Sequence, residues 1–131
     1  MRINETNYVD KAEAAIQHLV EESKKKNHGN IKIVTTSKIR NLLAMTADIY
    51  NQVLICQEEK LNADIMGRIE YLRVRVMYEC GREPMVNDLV REAQIIEILK
   101  EICGSKKNYL LFSRYMEALV AFHRYYGGQD Q

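Results

Sequence analysis

At 131 residues, with 47% hydrophobic and 28% charged residues, the chain has the size and composition of one globular domain with a sizeable core. A net charge of +1 excludes a binder of free nucleic acid driven by bulk electrostatics, although it permits a local basic patch. No apolar run approaches the roughly 20 residues of a membrane-spanning helix and the N-terminus has no signal-peptide core, so a cytoplasmic protein with no membrane contact is expected.

Residues Met1 to Thr6 read as a ragged lead-in. From Asn7 onward, Val9, Ala12, Ile16, Leu19 and Val20 recur at helical spacing, and the acid-then-base run Glu21 to Lys26 suits the dipole at a helix end. Asn27-His28-Gly29-Asn30 is a stop. Ile31 to Val34 is β-prone, but without a partner strand it reads as an extended connector laid against the bundle. Thr35-Thr36-Ser37 offers a hydroxyl N-cap to a second helix. Its buried face is Ile39, Leu42, Leu43, Thr46, Ile49, Tyr50, Val53 and Leu54, with Lys38, Asn41, Asp48 and Gln52 opposite.

A polar break at Gln57 to Lys60 leads to a third helix, about Leu61 to Cys80, which Gly81 closes. Pro84 opens a fourth, with Val86, Leu89, Val90, Ala93, Ile96, Leu99 and Ile102 inward and an acidic outer face of Asp88, Glu92, Glu97 and Glu101. After the turn Gly104 to Lys107, a fifth helix from about Asn108 to Tyr126 is apolar around much of its circumference. Such a helix is central in its bundle or shared with a partner, and self-association or filament stacking through exposed apolar surface on its side is expected. Gly127-Gly128 ends it. The expected fold is all-α, a single antiparallel bundle of about five helices forming one domain over residues 1–131.

Little in the chain suggests catalysis. Cys56, Cys80 and Cys103 are isolated, odd in number and in apolar helical context, which points to core residues rather than disulfides or zinc ligands. His18, His28 and His123 belong to no H-E-x-x-H or Glu-x-x-His pair; His28 falls in a turn, and the other two read as helix-border residues. Arg114 and His123 are the one Arg/His combination on a single helix that a small ribonuclease might use, but nine positions place them poorly for concerted work. No metal ligands, cofactor motif or catalytic set is therefore expected.

The third helix carries the pattern that does point to a ligand. Ile65, Ile69, Leu72, Val76 and Cys80 form its apolar face. Arg68, Tyr71, Arg75, Tyr78 and Arg82 form a second stripe more than a quarter turn away. Tyrosines bordering a core, with arginines solvated or paired to nearby glutamates, account for that stripe. So does a surface on which guanidinium forks hold phosphates and phenols stack. A second component is Lys38 and Arg40, set with three hydroxyls around a helix N-terminus where free N–H groups favour an anion. Lys106, Lys107, Arg114 and Arg124 are further cations that nothing in the sequence fixes on the same side.

Four blocks carry a resemblance to a known family. They are Asn7-Tyr8-Val9-Asp10-x-Ala12-Glu13, then Thr35-Thr36-Ser37-Lys38-Ile39-Arg40-Asn41-Leu42-Leu43, then Arg68-Ile69-x-Tyr71-Leu72-Arg73-Val74-Arg75 with Tyr78-Glu79-x-Gly81-Arg82-Glu83, and last Arg114 to Phe122 with Tyr126-Gly127-Gly128. In that order they resemble the small subunit of type III-A CRISPR–Cas effector (Csm) complexes. The resemblance covers nearly the whole chain except about Ser23 to Ile33 and the tail, so Lys24, Lys25 and Lys26 inherit no role. Cys80, where a small residue is commoner, and Pro84 depart from the pattern without touching the basic blocks.

The resemblance implies an all-α, non-catalytic subunit, stacked in several copies beside the backbone subunits that hold the crRNA. Its partners would be crRNA and target RNA, the backbone and large subunits, and neighbouring copies of itself. Nuclease and cyclic-oligoadenylate chemistry would belong to the other subunits. Lys38, Arg40, Arg68, Tyr71, Arg75, Tyr78 and Arg82 are the expected RNA-binding residues, contacting backbone while guide pairing supplies specificity. The rival reading is a free-standing helical adaptor or regulator whose Arg/Tyr face meets acidic protein partners.

Overall fold

Hydrophobic periodicity, caps and breakers produce six helices in a computed structural model that describes residues 1–128. They are α1 (Tyr8–Lys26), α2 (Thr36–Ile55), α3 (Ala63–Arg82), α4 (Pro84–Glu92), α5 (Ile95–Glu101) and α6 (Lys106–Tyr125). Three have side-chain N-caps: Thr35, Asn62 and Ser105 accept from the amides of Lys38, Ile65 and Asn108 at 3.3, 2.9 and 3.1 Å. Pro84 occupies the first turn of α4, where its missing N–H costs nothing.

α6 is the centre of the bundle. It packs along both α1 and α2, and buries Tyr109, Leu111, Phe112, Tyr115, Met116, Leu119 and His123. Most of its apolar circumference is taken up by the chain's own core, so the helix is central in its bundle, while Leu110, Val120 and Phe122 are half-buried and Tyr125 is 78% exposed. The exposed large apolar side chains lie mainly elsewhere: Tyr71, Val74, Met77 and Tyr78 on α3, and Leu54 and Ile55 at the end of α2. Leu54 was expected inward and is 49% exposed, while Leu43 and Tyr50 are half-buried.

The fourth predicted helix is two. A straight helix from Pro84 would point Ile96 inward and leave Ile95 and Ile98 on the far side. The chain instead breaks at Gln94, whose φ of 57° is left-handed, and the re-phased α5 buries Ile95, Ile98 and Leu99 while Ile96 is only half-buried. Burial of two large aliphatic side chains is worth about 1.5–3 kcal/mol each, more than the roughly 1–2 kcal/mol of a left-handed residue. The break orphans the Ala93 carbonyl, and the buried hydroxyl of Tyr115 donates to it at 2.8 Å.

Smaller segments also hold definite places. The lead-in is tied down: Ile3 is 2% exposed, Arg2 pairs with Glu101 at 3.1 Å, and the Asn4 side chain accepts from the Thr6 and Asn7 amides. The connector at 31–34 is extended, forms no strand and buries Ile33 and Val34, as its composition suggested. Cys56 and Cys80 are half-buried, and Cys103 is exposed in a left-handed turn residue, so none of the cysteines is the core residue expected. His123 is fully buried rather than at a helix border.

Candidate nucleic-acid interface

α3 is a peripheral helix. It packs chiefly on α4 and α2, and its buried residues are Ile65, Ile69, Leu72 and Val76. One narrow apolar stripe anchors it, so the remainder of its circumference faces outward. Arg68, Tyr71, Arg75, Tyr78 and Arg82 are all exposed, with Tyr71 and Tyr78 each at 64%. At 1.5 Å per residue the stripe is about 21 Å long. Phenols this exposed do not border the core, which removes the purely structural account of the two tyrosines.

α2 runs antiparallel beside α3, and two grooves follow the seam between them. One, of about 500 Å³, is bordered by Lys38, Arg40 and Asn41 from α2 and by Glu79 and Arg82 from α3. The other, of about 550 Å³, is bordered by Asp48 from α2 and by Asp64, Arg68, Tyr71 and Arg75 from α3. The fold therefore joins the two basic blocks that lie about 30–40 positions apart in the chain. Lys38, Arg40 and Arg82 share one end of the seam; Arg68, Tyr71 and Arg75 share the other. Tyr78 lines neither groove, and its ring lies 5.6 Å beneath the Arg82 guanidinium carbon.

The hydroxyl cluster at the start of α2 is not an anion cradle of three donors. Thr35 spends its side chain on the N-cap, and the Thr36 hydroxyl oxygen is buried. Ser37 alone of the three borders the groove.

Acid is interleaved with the base, as the reading of arginines paired to nearby carboxylates allowed; the contact that sequence reasoning missed is the one between Glu83 and Lys38. Asp64 meets Arg68 at 3.3 Å, Glu79 meets Arg82 at 3.4 Å, and Glu83 meets the Lys38 ammonium at 2.9 Å. The hydrogen bond from Lys38 holds the Glu83 carboxyl below the usual range. Arg73, on the flank of α3, pairs with Glu70 at 3.2 Å. Arg40 and Arg75 have no ionic partner among the described residues. The helical pairs sit at i,i+3 and i,i+4 spacing and were visible in the sequence in that sense; the Lys38–Glu83 pair spans 45 positions and was not.

The other cations do not extend the seam. Lys106 donates its ammonium to the carbonyls of Leu54 and Cys56, closing the end of α2, and Lys107, Arg114 and Arg124 border neither groove. On the acidic face expected on the fourth helix, Asp88 pairs with Arg91 at 3.5 Å and Glu101 with Arg2, while the Glu92 carboxylate lies 2.7 Å from Nδ1 of His18. Arg114 is exposed while His123 is buried, its Nε2 donating to the Val34 carbonyl at 2.6 Å; burial lowers its pKa from the ordinary histidine value. The two do not meet as an acid/base pair. Among the described residues, no three His, Cys, Asp or Glu side chains gather in a metal-binding group, and no helix is long and apolar enough to cross a membrane.

Residues 13–129 match the family model described as Csm2 Type III-A. The chain is also 43% identical over 128 residues to the "CRISPR system Cms protein Csm2" of Streptococcus thermophilus, covering 98% of each chain. The protein of that name from Mycobacterium tuberculosis (strain H37Rv) is 36% identical over 131 residues, the full length of both. That of Enterococcus italicus is 36% identical over 117 residues, covering 82% of this chain and 84% of the relative. The chain belongs to the type III-A Csm2 family. It is a small subunit of a type III-A CRISPR (Csm) complex, and the α2/α3 seam is thus a surface of a Csm2 fold. Both basic blocks lie inside the matched span.

Proposed function

We infer that the α2/α3 seam is the face with which this small subunit contacts the backbone of the crRNA–target RNA duplex, and that the subunit itself is non-catalytic. The observation that carries the reading is the convergence of Lys38, Arg40, Arg68, Arg75 and Arg82 on one exposed seam, with Tyr71 and Tyr78 beside them. Arginine forks suit phosphate oxygens, and exposed phenols suit ribose or base faces. Nothing along the seam forms a reading head inserted into a groove. That suits an RNA whose sequence is read by guide pairing and whose backbone alone is held.

In this reading several copies stack beside the backbone subunits in the cytoplasm. The exposed Val74 and Met77 of α3, and Leu54 and Ile55 of α2, supply apolar surface for subunit contacts. Site-specific photocrosslinking from positions 71 and 78 in the assembled effector tests the central claim. Crosslinks to crRNA or target RNA support it. Crosslinks to protein alone, with RNA bound normally, refute it and favour the adaptor reading. Metal-dependent or His123-dependent RNA turnover by the purified chain would refute the non-catalytic assignment.

A further inference from the structure

The cations of the seam are not equally available. Of the five, Lys38, Arg68 and Arg82 each hold a carboxylate of their own chain, at 2.9, 3.3 and 3.4 Å, while Arg40 and Arg75 do not among the described residues. We propose that Asp64, Glu79 and Glu83 are specificity-determining residues: internal competitors that hold the cationic face closed to free RNA until the effector complex presents a strand in register. The inference rests on the seam being the RNA face.

The first support is that the Asp64–Arg68 pair does little for the fold. Arg68 and Asp64 are 53% and 75% exposed, so water screens that contact and its contribution to stability is small; in the second pair Arg82 is 51% exposed but Glu79 only 19%, so that contact is screened less. Their effect on an incoming phosphate is larger. To bind Arg68 or Arg82, a phosphate must displace a carboxylate already in hydrogen-bond reach, or remain beside it as a like charge. Each such contact returns only the difference between two anions.

The second support is the pattern. A short or misplaced RNA touching one end of the seam meets one free arginine beside one or two occupied cations, and gains little. A strand held along the full stripe of about 21 Å engages both free arginines at once, and the exchanges at the other three become intramolecular steps at high effective concentration. The acids thus lower affinity for casual contact more than for presented RNA, which is discrimination by built-in repulsion. The near-neutral net charge of +1 acts in the same direction, because no global field draws polyanions to the isolated chain.

A purely structural role for the acids makes the opposite forecast. Asp64 in the first turn of α3 favours the helix dipole, and Glu79 and Arg82 form an ordinary i,i+3 pair. On that view neutralising them trims stability slightly and leaves RNA affinity alone.

The experiment is fluorescence anisotropy of the full-length chain with labelled RNA duplexes, one short and one spanning the seam, over a salt series. The variants are Asp64→Asn/Glu79→Gln, the same pair with Glu83→Gln, and Arg40→Ala/Arg75→Ala. The double acid-to-amide variant is expected to bind about threefold to tenfold tighter than wild type at low salt, with a smaller advantage for the longer duplex. Wild-type binding too weak to measure beside measurable binding by the variant counts as the same gain. Unchanged or weaker binding by the double variant, while the arginine variant still loses affinity, overturns the competitor proposal and leaves the seam reading standing. If neither set of substitutions alters binding, both fall. Glu83 ties α2 to the α3/α4 junction, so if the triple variant unfolds, the double variant decides alone.

Discussion

Arg40 and Arg75 give the cleanest perturbation of the proposed RNA face. Both are exposed, and neither has an ionic partner among the described residues, so truncation strands no carboxylate. The double substitution to alanine should change folding stability by no more than about 0.5 kcal/mol. If each guanidinium holds one phosphate, its loss costs about 1.5 kcal/mol, roughly tenfold in affinity. Loss of two contacts flattens the log–log salt dependence by about 1.8 units on a duplex. The assay is target-RNA binding by the assembled effector, with the variant subunit, across a salt series and with several guides. The loss should be similar for every guide, since phosphate contacts carry no sequence information. Lysine at both positions should restore only part, lacking the bidentate fork. Glu97→Lys on the exposed face of α5 serves as a control of opposite sign at a residue that borders neither groove. An unchanged salt slope for the arginine variant, or a comparable loss from Glu97→Lys, would refute the placement of the RNA face.

Three other outcomes follow from the core. Leu72→Ala should destabilise the chain by about 2–5 kcal/mol, because Leu72 is one of the few buried side chains anchoring α3; urea unfolding measures it, and a loss under about 1 kcal/mol would contradict the packing. Gln94→Gly should raise the melting temperature modestly, by up to about 1 kcal/mol of stability, since Gly removes the left-handed penalty; a fall would mean that the Gln94 side chain contributes something its backbone angle does not reveal. His123 has a folded-state pKa below its ordinary value, so the unfolded chain binds the extra proton and stability declines as pH falls through the ordinary histidine range. His123→Gln keeps a donor for Val34 but removes that proton, so its stability should be flatter between about pH 7 and 5, above the window in which the carboxyls of Glu59, Glu83 and Glu101 protonate.

Much of the fold was legible because the signals are local. The N-cap within Thr35-Thr36-Ser37, the stop at 27–30 and the period of α3 each depend on residues within a turn or two of one another. The break at Gln94 was not legible. No Gly or Pro marks it, and the one hint is that Ile95, Ile96, Ile98 and Leu99 are too many apolar residues for one stripe of a straight helix. Helix five was read correctly as unusually apolar, yet the sequence could not say whether its own bundle or a partner covered it; that depends on how α1 and α2 close around it. Within the site, angular spacing gave the Arg/Tyr stripe its place apart from the apolar face, but not the exposure of its tyrosines, which the sequence left open as core-border residues. Which cations were already engaged depended on Glu83 reaching back to Lys38, a contact between segments that only the packing of α2 on α3 brings together.

The two walls of the seam are held in different ways, and that bears on how it works. α2 is braced by the central helix α6, with Tyr109 donating to the Thr46 carbonyl at 2.6 Å, and its start is fixed through the connector that His123 grips at Val34. Gly128 closes over that histidine so tightly that a Cβ there would come within 2.1 Å of the ring. Lys38 and Arg40 thus project from a rigid rail. α3 packs through its narrow buried stripe on α4, α2 and α5 and is capped by Asn62. Its outer face is free to carry exposed tyrosines and arginines because so little of its circumference is committed to the core. The Lys38–Glu83 bridge joins the two walls at the end where the basic blocks meet. A phosphate that took Lys38 from Glu83 would therefore release the tie between α2 and the α3/α4 junction. If the seam is the RNA face, occupancy of that end would be coupled to the spacing of its walls through the half-buried Glu83 carboxylate.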